Sequence, residues 1–416
     1  MSHGEHAAPV GGRFFSPGTI VLAALAAVGL AAYLYRLVYG LEAATNLNNQ
    51  YPWGIWIAID VASGVALAAG GFTTAALADI FRREEYHAIV RPALLTAMLG
   101  YTFVVIGLLA DLGRYYNVWH PMLPSMWQGD SVLFEVGICV MIYLSVLYIE
   151  FLPIVAERFK GRVNLPGPLR ILNRVVNSWL VVCDRFLGRF ISLFIIAGVV
   201  LSCLHQSSLG TLMVIAPTKV HPLWYTPILP LLFLLSAIAV GFPMVIFESI
   251  LSSRSFKLKP ETKMLSEIAV YTPVLLGVYL AVKIADLTLR DAVGYVFDGS
   301  VQSIMFLVEV GAGVVAPLIL LASHRVRASL AGLFTAATLV ILGVAVNRVN
   351  VFLVSYRPPY AVKTYFPSLI EILVTVGLIS TLVLVYRAMV MVFPVLPGER
   401  KAAPAALPQE TSERAA

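Results

Sequence analysis

Three ionisable side chains sit inside long apolar stretches: Asp60 in PWGIWIAIDVASGVALAAGGF, Glu135 in DSVLFEVGICV and His205 in LSCLHQSSLG. At 1.5 Å per helical residue, Asp60 lies roughly 10 Å from the end of its stretch. Glu135 and His205 each lie roughly 6 Å from theirs, on the same side. A charged group at the centre of a bilayer costs about 2.5–3.5 kcal/mol even on the lenient insertion scale, so each is a candidate functional residue. An imidazole and a carboxyl of raised pKa in one layer can exchange protons with a bound molecule. Asp111, Arg114, Tyr115, Tyr116, Trp119 and His120 border the same layer. Tyr101, midway along the third stretch, could extend the network, although a core tyrosine with a satisfied hydroxyl is the commoner arrangement.

Near the other face, Glu248 lies in GFPMVIFES. With Glu150 and Asp79 it could feed protons inward, because buried carboxylate chains serve as proton relays. For Glu150 and Asp79 a side chain facing a wet loop is the simpler reading. Glu309 and Glu371 fit a helix–helix hydrogen bond, or a partly wetted end, at least as well as a functional role.

A quinone head group suits the first layer. Its tail stays in lipid, its carbonyl oxygens need donors, and its chemistry couples two protons to two electrons. Haem fits less well. A membrane b-haem needs facing histidine pairs within spans. Of His3, His6, His87, His120, His205, His221 and His324, only His205 is clearly inside one. Cys139, Cys183 and Cys203 are far apart, so this chain holds no iron–sulfur cluster alone and carries no disulfide framework. No metal site, Walker A, HExxH or serine-nucleophile motif appears. The glycines of ASGVALAAGG and GAGVVA read as close helix packing rather than phosphate loops.

These residues are held by elements that composition defines. Of 416 residues, 59% are hydrophobic and only 12% charged. The apolar residues form runs long enough to cross a bilayer as helices. The sequence therefore predicts an all-α polytopic membrane protein and excludes a soluble enzyme, a nucleic-acid binder and a secreted disulfide scaffold. Ten spans are expected, near 18–39, 53–81, 91–112, 131–156, 189–209, 224–252, 264–285, 300–323, 329–347 and 367–394. The net charge of +6 fits cytoplasmic loops rather than nucleic acid. Lys and Arg number 21 on one side and 8 on the other, Lys283 and Arg348 among the 8, which places both termini in the cytoplasm.

The expected organisation is a cytoplasmic tail (1–17), a flanking helix and periplasmic loop (18–52), a first four-helix bundle (53–209) and a second (210–347). A periplasmic loop with a last helix (348–396) and a disordered cytoplasmic tail (397–416) complete it. Apolar residues at helical spacing from Leu172 to Leu187 predict an amphipathic helix near 168–188 lying on the cytoplasmic face. The alternative is a plain extension of the fifth span.

The segments PWGIWIAIDVASGVALAAGGF, ADLGRYYNVWHPM, LHQSSLGTLMVIAP, HPLWYTPILPLLFLLSAIAVGFPMVIFES, NRVNVFL and YFPSLIEILVTVG together resemble the HybB-like membrane subunits of Ni/Fe-hydrogenases. These belong to the NrfD, or polysulfide reductase membrane-subunit, superfamily. The resemblance covers nearly the whole chain apart from the tails. It implies two four-helix bundles with flanking helices, no haem, and a menaquinone site near the periplasmic face. It also implies a periplasmic ferredoxin-like iron–sulfur partner beside hydrogenase large and small subunits, in a bacterial inner membrane. By matching position it carries function onto Asp60, Tyr101, Glu135, His205 and Glu248.

The expected function is that of a quinone-reactive subunit of a respiratory oxidoreductase complex. His205 and Glu135 handle quinone protons, Asp60 supports the site, Arg114 borders it, and Glu248 helps to supply protons from the cytoplasm. Sulfur-compound and multihaem cytochrome complexes are alternative electron partners. A secondary transporter would show broken helices and an inverted repeat, neither visible in the sequence. A purely structural anchor would tolerate replacement of Asp60, Glu135 and His205.

Overall fold

The computed structural model describes residues 7–81, 83 and 86–396. The tail expected to be disordered from residue 397 lies outside the described residues. Among them are ten helices long and apolar enough to cross a membrane. They are α1 (Pro17–Tyr39), α2 (Trp56–Ile80), α3 (Ala88–Asp111), α4 (Val132–Phe159), α5 (Gly167–Val214), α6 (Leu229–Phe256), α7 (Thr262–Leu289), α8 (Val301–Ala322), α9 (Leu330–Val354) and α10 (Leu369–Val392). The two ends of the described chain meet on one side of this array, the terminal face, where Ala8 N–H donates to the Leu396 carbonyl at 3.3 Å. Serine hydroxyls cap the starts of α1, α4, α8, α9 and α10 (Ser16, Ser131, Ser300, Ser329 and Ser368), satisfying backbone N–H groups that have no partner in the first turn.

The helices close into two rings. In the first, α2 packs on α3, α3 on α4, α4 on α5, and α5 returns to α2; in the second, α6, α7, α8 and α9 do the same. α6 lies against both α2 and α5, and α9 against the start of α2, joining the rings. α1 and α10 form a separate pair resting on α3. That pair is close because Gly29 faces Gly377, and a Cβ on either would collide with the other backbone. Small residues permit this approach where lipid offers no hydrophobic drive for helix association. The outward surface of α1 carries exposed Ile20, Val21 and Leu30, as a lipid-facing helix requires.

One element departs from the sequence expectation. The segment near 168–188 is not a separate helix lying on the face. A short 3-10 turn (Gly167–Leu172) leads into a continuous α-helix from Asn173 to Val214. No proline interrupts 173–214, and its isolated glycines, Gly188, Gly198 and Gly210, weaken a helix without ending it. The preceding loop is tied along this extension by Lys160 to Asp184 (2.6 Å) and by Gly161 N–H to Asn177 Oδ1 (2.6 Å).

Three helices contain wide π-helical turns: α2 at Trp56–Ser63 and Ala76–Ile80, α8 at Gly311–Val315, and α9 at Asn350–Val354. Such turns insert an extra residue into the helical ladder and cluster at functional positions. They hold or adjoin Asp60, Glu309 and Asn350.

Candidate functional site

In the first ring the structure brings Tyr101 and His205 together. The Tyr101 hydroxyl lies 3.3 Å from His205 Nδ1, and both residues are fully buried. Tyr143 of α4 packs edge-on against Tyr101, with ring centroids 4.5 Å apart. Ser202, one turn before His205, reaches toward both phenols, but its buried Oγ meets neither in full hydrogen-bond geometry. Gln206 donates from Nε2 to the Val65 carbonyl (2.7 Å), while its Oε1 has no partner. Unpartnered buried polar atoms are costly, so two of them beside an imidazole and a phenol mark a place poised for a hydrogen-bonding guest.

The other expected residues stand apart from this pair. His205 is deeper than expected, because α5 continues to Val214: nine residues separate them, about 13 Å. Asp60 lies four residues inside α2, faces α10, and accepts from Thr375 Oγ1 at 2.5 Å. Gly107 of α3 gives its side chain room. Glu135, in the first turn of α4, is exposed and pairs with no described residue. It borders the ring pair Trp127–Phe134 at the face opposite the termini. Arg114 is likewise exposed in the loop after α3. The arginine buried in this region is Arg36 of α1, donating to the Leu112 carbonyl at 2.6 Å beneath the Tyr115 ring. Glu248 lies eight residues before the terminal-face end of α6 and accepts from Tyr386 of α10 at 2.7 Å. Glu371 is structural: its carboxylate takes Tyr365, the backbone N–H of Asn46 (3.1 Å) and that of Ser368 (2.7 Å), fastening the loops to the start of α10.

The sequence reading missed a second buried cluster. In the second ring, Glu309 of α8 pairs with Lys283 of α7 and accepts from Trp224 Nε1 (2.8 Å), Asn347 Nδ2 (2.8 Å) and Asn350 Nδ2 (2.8 Å). Arg348, also buried, donates to Asn347 Oδ1 (2.6 Å) and Ser236 Oγ (2.9 Å) and lies 3.7 Å from the Phe233 ring centroid. Lys283 and Arg348 each sit within an apolar run, YLAVKIADL and VAVNRVNVF. A basic residue inside such a run is the signal that could have paired Lys283 with Glu309.

A quinone head group fits the polar groups of the first ring: an imidazole, a phenol and the Ser202 hydroxyl can donate to its carbonyl oxygens, and Gln206 Oε1 can accept from the reduced hydroxyl form. Haem ligation fits less well. Among the described side chains, no second histidine faces His205, whose Nδ1 is turned to Tyr101.

The family model described as "Polysulphide reductase, NrfD" matches residues 43–357. The chain is 35% identical, over 95% of its own length and 96% of the relative's, to the "Probable Ni/Fe-hydrogenase 2 b-type cytochrome subunit" of Escherichia coli K12. It is 25% identical, over 89% of both chains, to the "Menaquinone reductase, integral membrane subunit" of Nitratidesulfovibrio vulgaris. It is 23% identical, over 91% of its length and 93% of the relative's, to the "Hdr-like menaquinol oxidoreductase integral membrane subunit" of Archaeoglobus fulgidus.

Proposed function

This chain belongs to the polysulphide reductase, NrfD family, and on that premise we propose that it exchanges electrons between menaquinone and a periplasmic iron–sulfur subunit of a Ni/Fe-hydrogenase complex. The observation that carries the reading is the buried Tyr101–His205 pair with unpartnered Ser202 and Gln206 beside it. The names of the relatives support the same chemistry: one is a hydrogenase subunit and another a menaquinone reductase subunit.

Menaquinone, when bound, supplies two-electron chemistry coupled to two protons. Every other role falls to this chain. His205 donates or accepts one proton and is held in orientation by Tyr101. Glu135 stands at the lipid-accessible approach, beside Trp127 and Phe134, and handles the other proton. Arg114 borders that approach. Asp60 braces α2 against α10 through Thr375. Glu248 helps to supply protons from the terminal face, which the Lys and Arg imbalance makes cytoplasmic. The membrane is then a bacterial inner membrane. The buried cations sharpen that imbalance, because Arg36, Lys283 and Arg348 are enclosed by protein and do not belong to the loops of the opposite face.

The test is the menaquinone content of the purified chain beside a His205→Ala variant, by solvent extraction and chromatography. Near-stoichiometric menaquinone in the parent and its loss in the variant is the expected result. Equal content in both overturns the assignment of His205. A Glu135→Gln variant with undiminished quinone turnover removes Glu135 from the mechanism. Undiminished turnover after replacing Asp60, Glu135 and His205 together leaves the chain a structural anchor.

A further inference from the structure

Glu150 of α4 is a half-buried acid, with one carboxylate oxygen fully enclosed, that the function above does not use. α4 and α5 are antiparallel neighbours, and Glu150 lies opposite Gly198: a Cβ at that glycine would stand 2.6 Å from the carboxylate Oε1. That oxygen is buried and has no hydrogen-bond partner. Glu248, by contrast, already accepts from Tyr386. One turn up α5 from Gly198 is Ser202, about 6 Å along the axis, with its own unpartnered hydroxyl. Two turns up α4 from Glu150 is Tyr143, about 10 Å along the axis. Ser202 borders both Tyr143 and Tyr101, and Tyr101 reaches His205 Nδ1 at 3.3 Å. At the terminal-face end of the seam, Asp79 of α2 is the acid whose field reaches Glu150. Carboxyl, hydroxyl, phenol and imidazole groups therefore line one seam from the terminal face to His205.

We propose that Glu150, with Ser202, Tyr143 and Tyr101, forms the final proton relay that recharges His205 from the cytoplasmic side. The proposal rests on the quinone reading of His205. His205 releases a proton from Nε2 toward the substrate carbonyl and takes one at Nδ1 from Tyr101. Tyr101 takes one in turn from Ser202 or Tyr143, these take one from Glu150, and Glu150 is reprotonated by water entering from the cytoplasmic side past Asp79. Each member gives one proton and receives one, only O–H and N–H bonds change, and no charge accumulates. Where Glu150 and Ser202 do not touch, a hydrogen-bonded water would bridge them. Gly198 serves the relay by leaving room for the carboxyl; any larger side chain pushes it off the seam.

The complex that contains this chain, reconstituted in liposomes with its partner subunits, tests the relay. Three variants, Glu150→Gln, Gly198→Ala and His205→Ala, are compared for bound menaquinone, quinone-analogue turnover and the response of turnover to azide, a small weak acid. Glu150→Gln is expected to keep its menaquinone, to turn over at least about tenfold more slowly, and to regain speed with azide, because the acid replaces a lost proton donor. Gly198→Ala, which retains the acid but displaces it, is expected to slow turnover several-fold with the same rescue. A merely structural glutamate would show no rescue. If His205→Ala loses menaquinone and turnover while Glu150→Gln matches the parent, the relay is wrong and the quinone reading stands. A slow Glu150→Gln that azide leaves unchanged also overturns the relay. If His205→Ala keeps both menaquinone and turnover, the quinone reading itself fails.

Discussion

Replacing Glu309 by Gln removes one charge from the second ring and leaves the side-chain shape unchanged. In the native chain this carboxylate accepts from four donors: Lys283 and Asn347 on Oε1, Trp224 and Asn350 on Oε2. A Gln amide has a single acceptor oxygen, so two of those donors would face an NH2 group. Lys283 and Arg348, 4% and 1% exposed, would stay buried without the Glu309 charge, and the nearby carboxylate of Asp286 is already paired with Arg290. Removing one partner of a buried ion pair costs about 3–5 kcal/mol. Asn350→Ala removes an uncharged donor that also reaches the Met305 carbonyl, and Asn347→Ala one whose Oδ1 also serves Arg348; interhelical hydrogen bonds in a membrane average about 0.6 kcal/mol, so each variant loses about two such bonds and keeps the Lys283–Glu309 pair. The two kinds of variant should therefore separate several-fold in thermal stability, measured as the unfolding midpoint in detergent micelles. Adding Lys283→Met to Glu309→Gln should recover part of the loss, because the unpaired cation is gone. A Glu309→Gln protein as stable as the asparagine variants would refute the reasoning. So would a double variant that is less stable than Glu309→Gln alone.

Further outcomes are expected at other seams. Gly377→Leu should force α10 off α1 and lower the unfolding midpoint, overpacking typically costing about 1–3 kcal/mol, whereas Gly137→Ala, with nothing within 4 Å, should leave it unchanged. Thr375→Val should strip Asp60 of its donor and destabilise by about 1–3 kcal/mol, and a double-mutant cycle with Asp60→Asn should show coupling above about 0.5 kcal/mol. His221, in the loop before α6, has its pKa lowered from 6.5 by burial, and its Nδ1 accepts from Leu223 N–H at 3.3 Å. The unfolded chain thus takes up this proton first as the pH falls, so stability should decline below about pH 6.5, and His221→Asn should flatten that decline in thermal melts at graded pH.

The spans were largely legible because lipid exposure imposes long apolar runs: α1, α8 and α10 begin and end within two residues of the sequence expectation. The fifth span was not, because Arg174, Asp184, Arg185 and Arg189 break the hydropathy signal while the backbone remains helical. Hydropathy reports the solvent around a segment, and α5 extends past the lipid. His205 was placed too near the surface for a separate reason: at the other end the expected span stops at Leu209, while the helix runs on to Val214. Tyr101 and His205 were legible as polar groups inside spans, but their pairing depends on which faces α3 and α5 turn to each other. Lys283 and Arg348 were counted with the loops because each lies close to a span end, and sequence distance from an end does not distinguish a cation facing water from one enclosed by Trp224, Phe233 and Phe306.

The wide turns give the helices that contain them a rotational joint. One additional residue swings everything beyond it by about 100° around the axis, since a regular helix advances 3.6 residues per turn. In α2 the joint at Trp56–Ser63 itself carries Asp60 toward α10, while the residues after it aim Gly70 and Thr73 at α6. A single strand of backbone thereby keeps two appointments on different sides of itself, one with the flanking pair and one with the second ring. Deleting one residue between Trp56 and Ser63 would leave the hydropathy of α2 almost untouched, yet it would unwind that offset and turn Asp60 away from Thr375. Length within this helix is therefore as specific as composition.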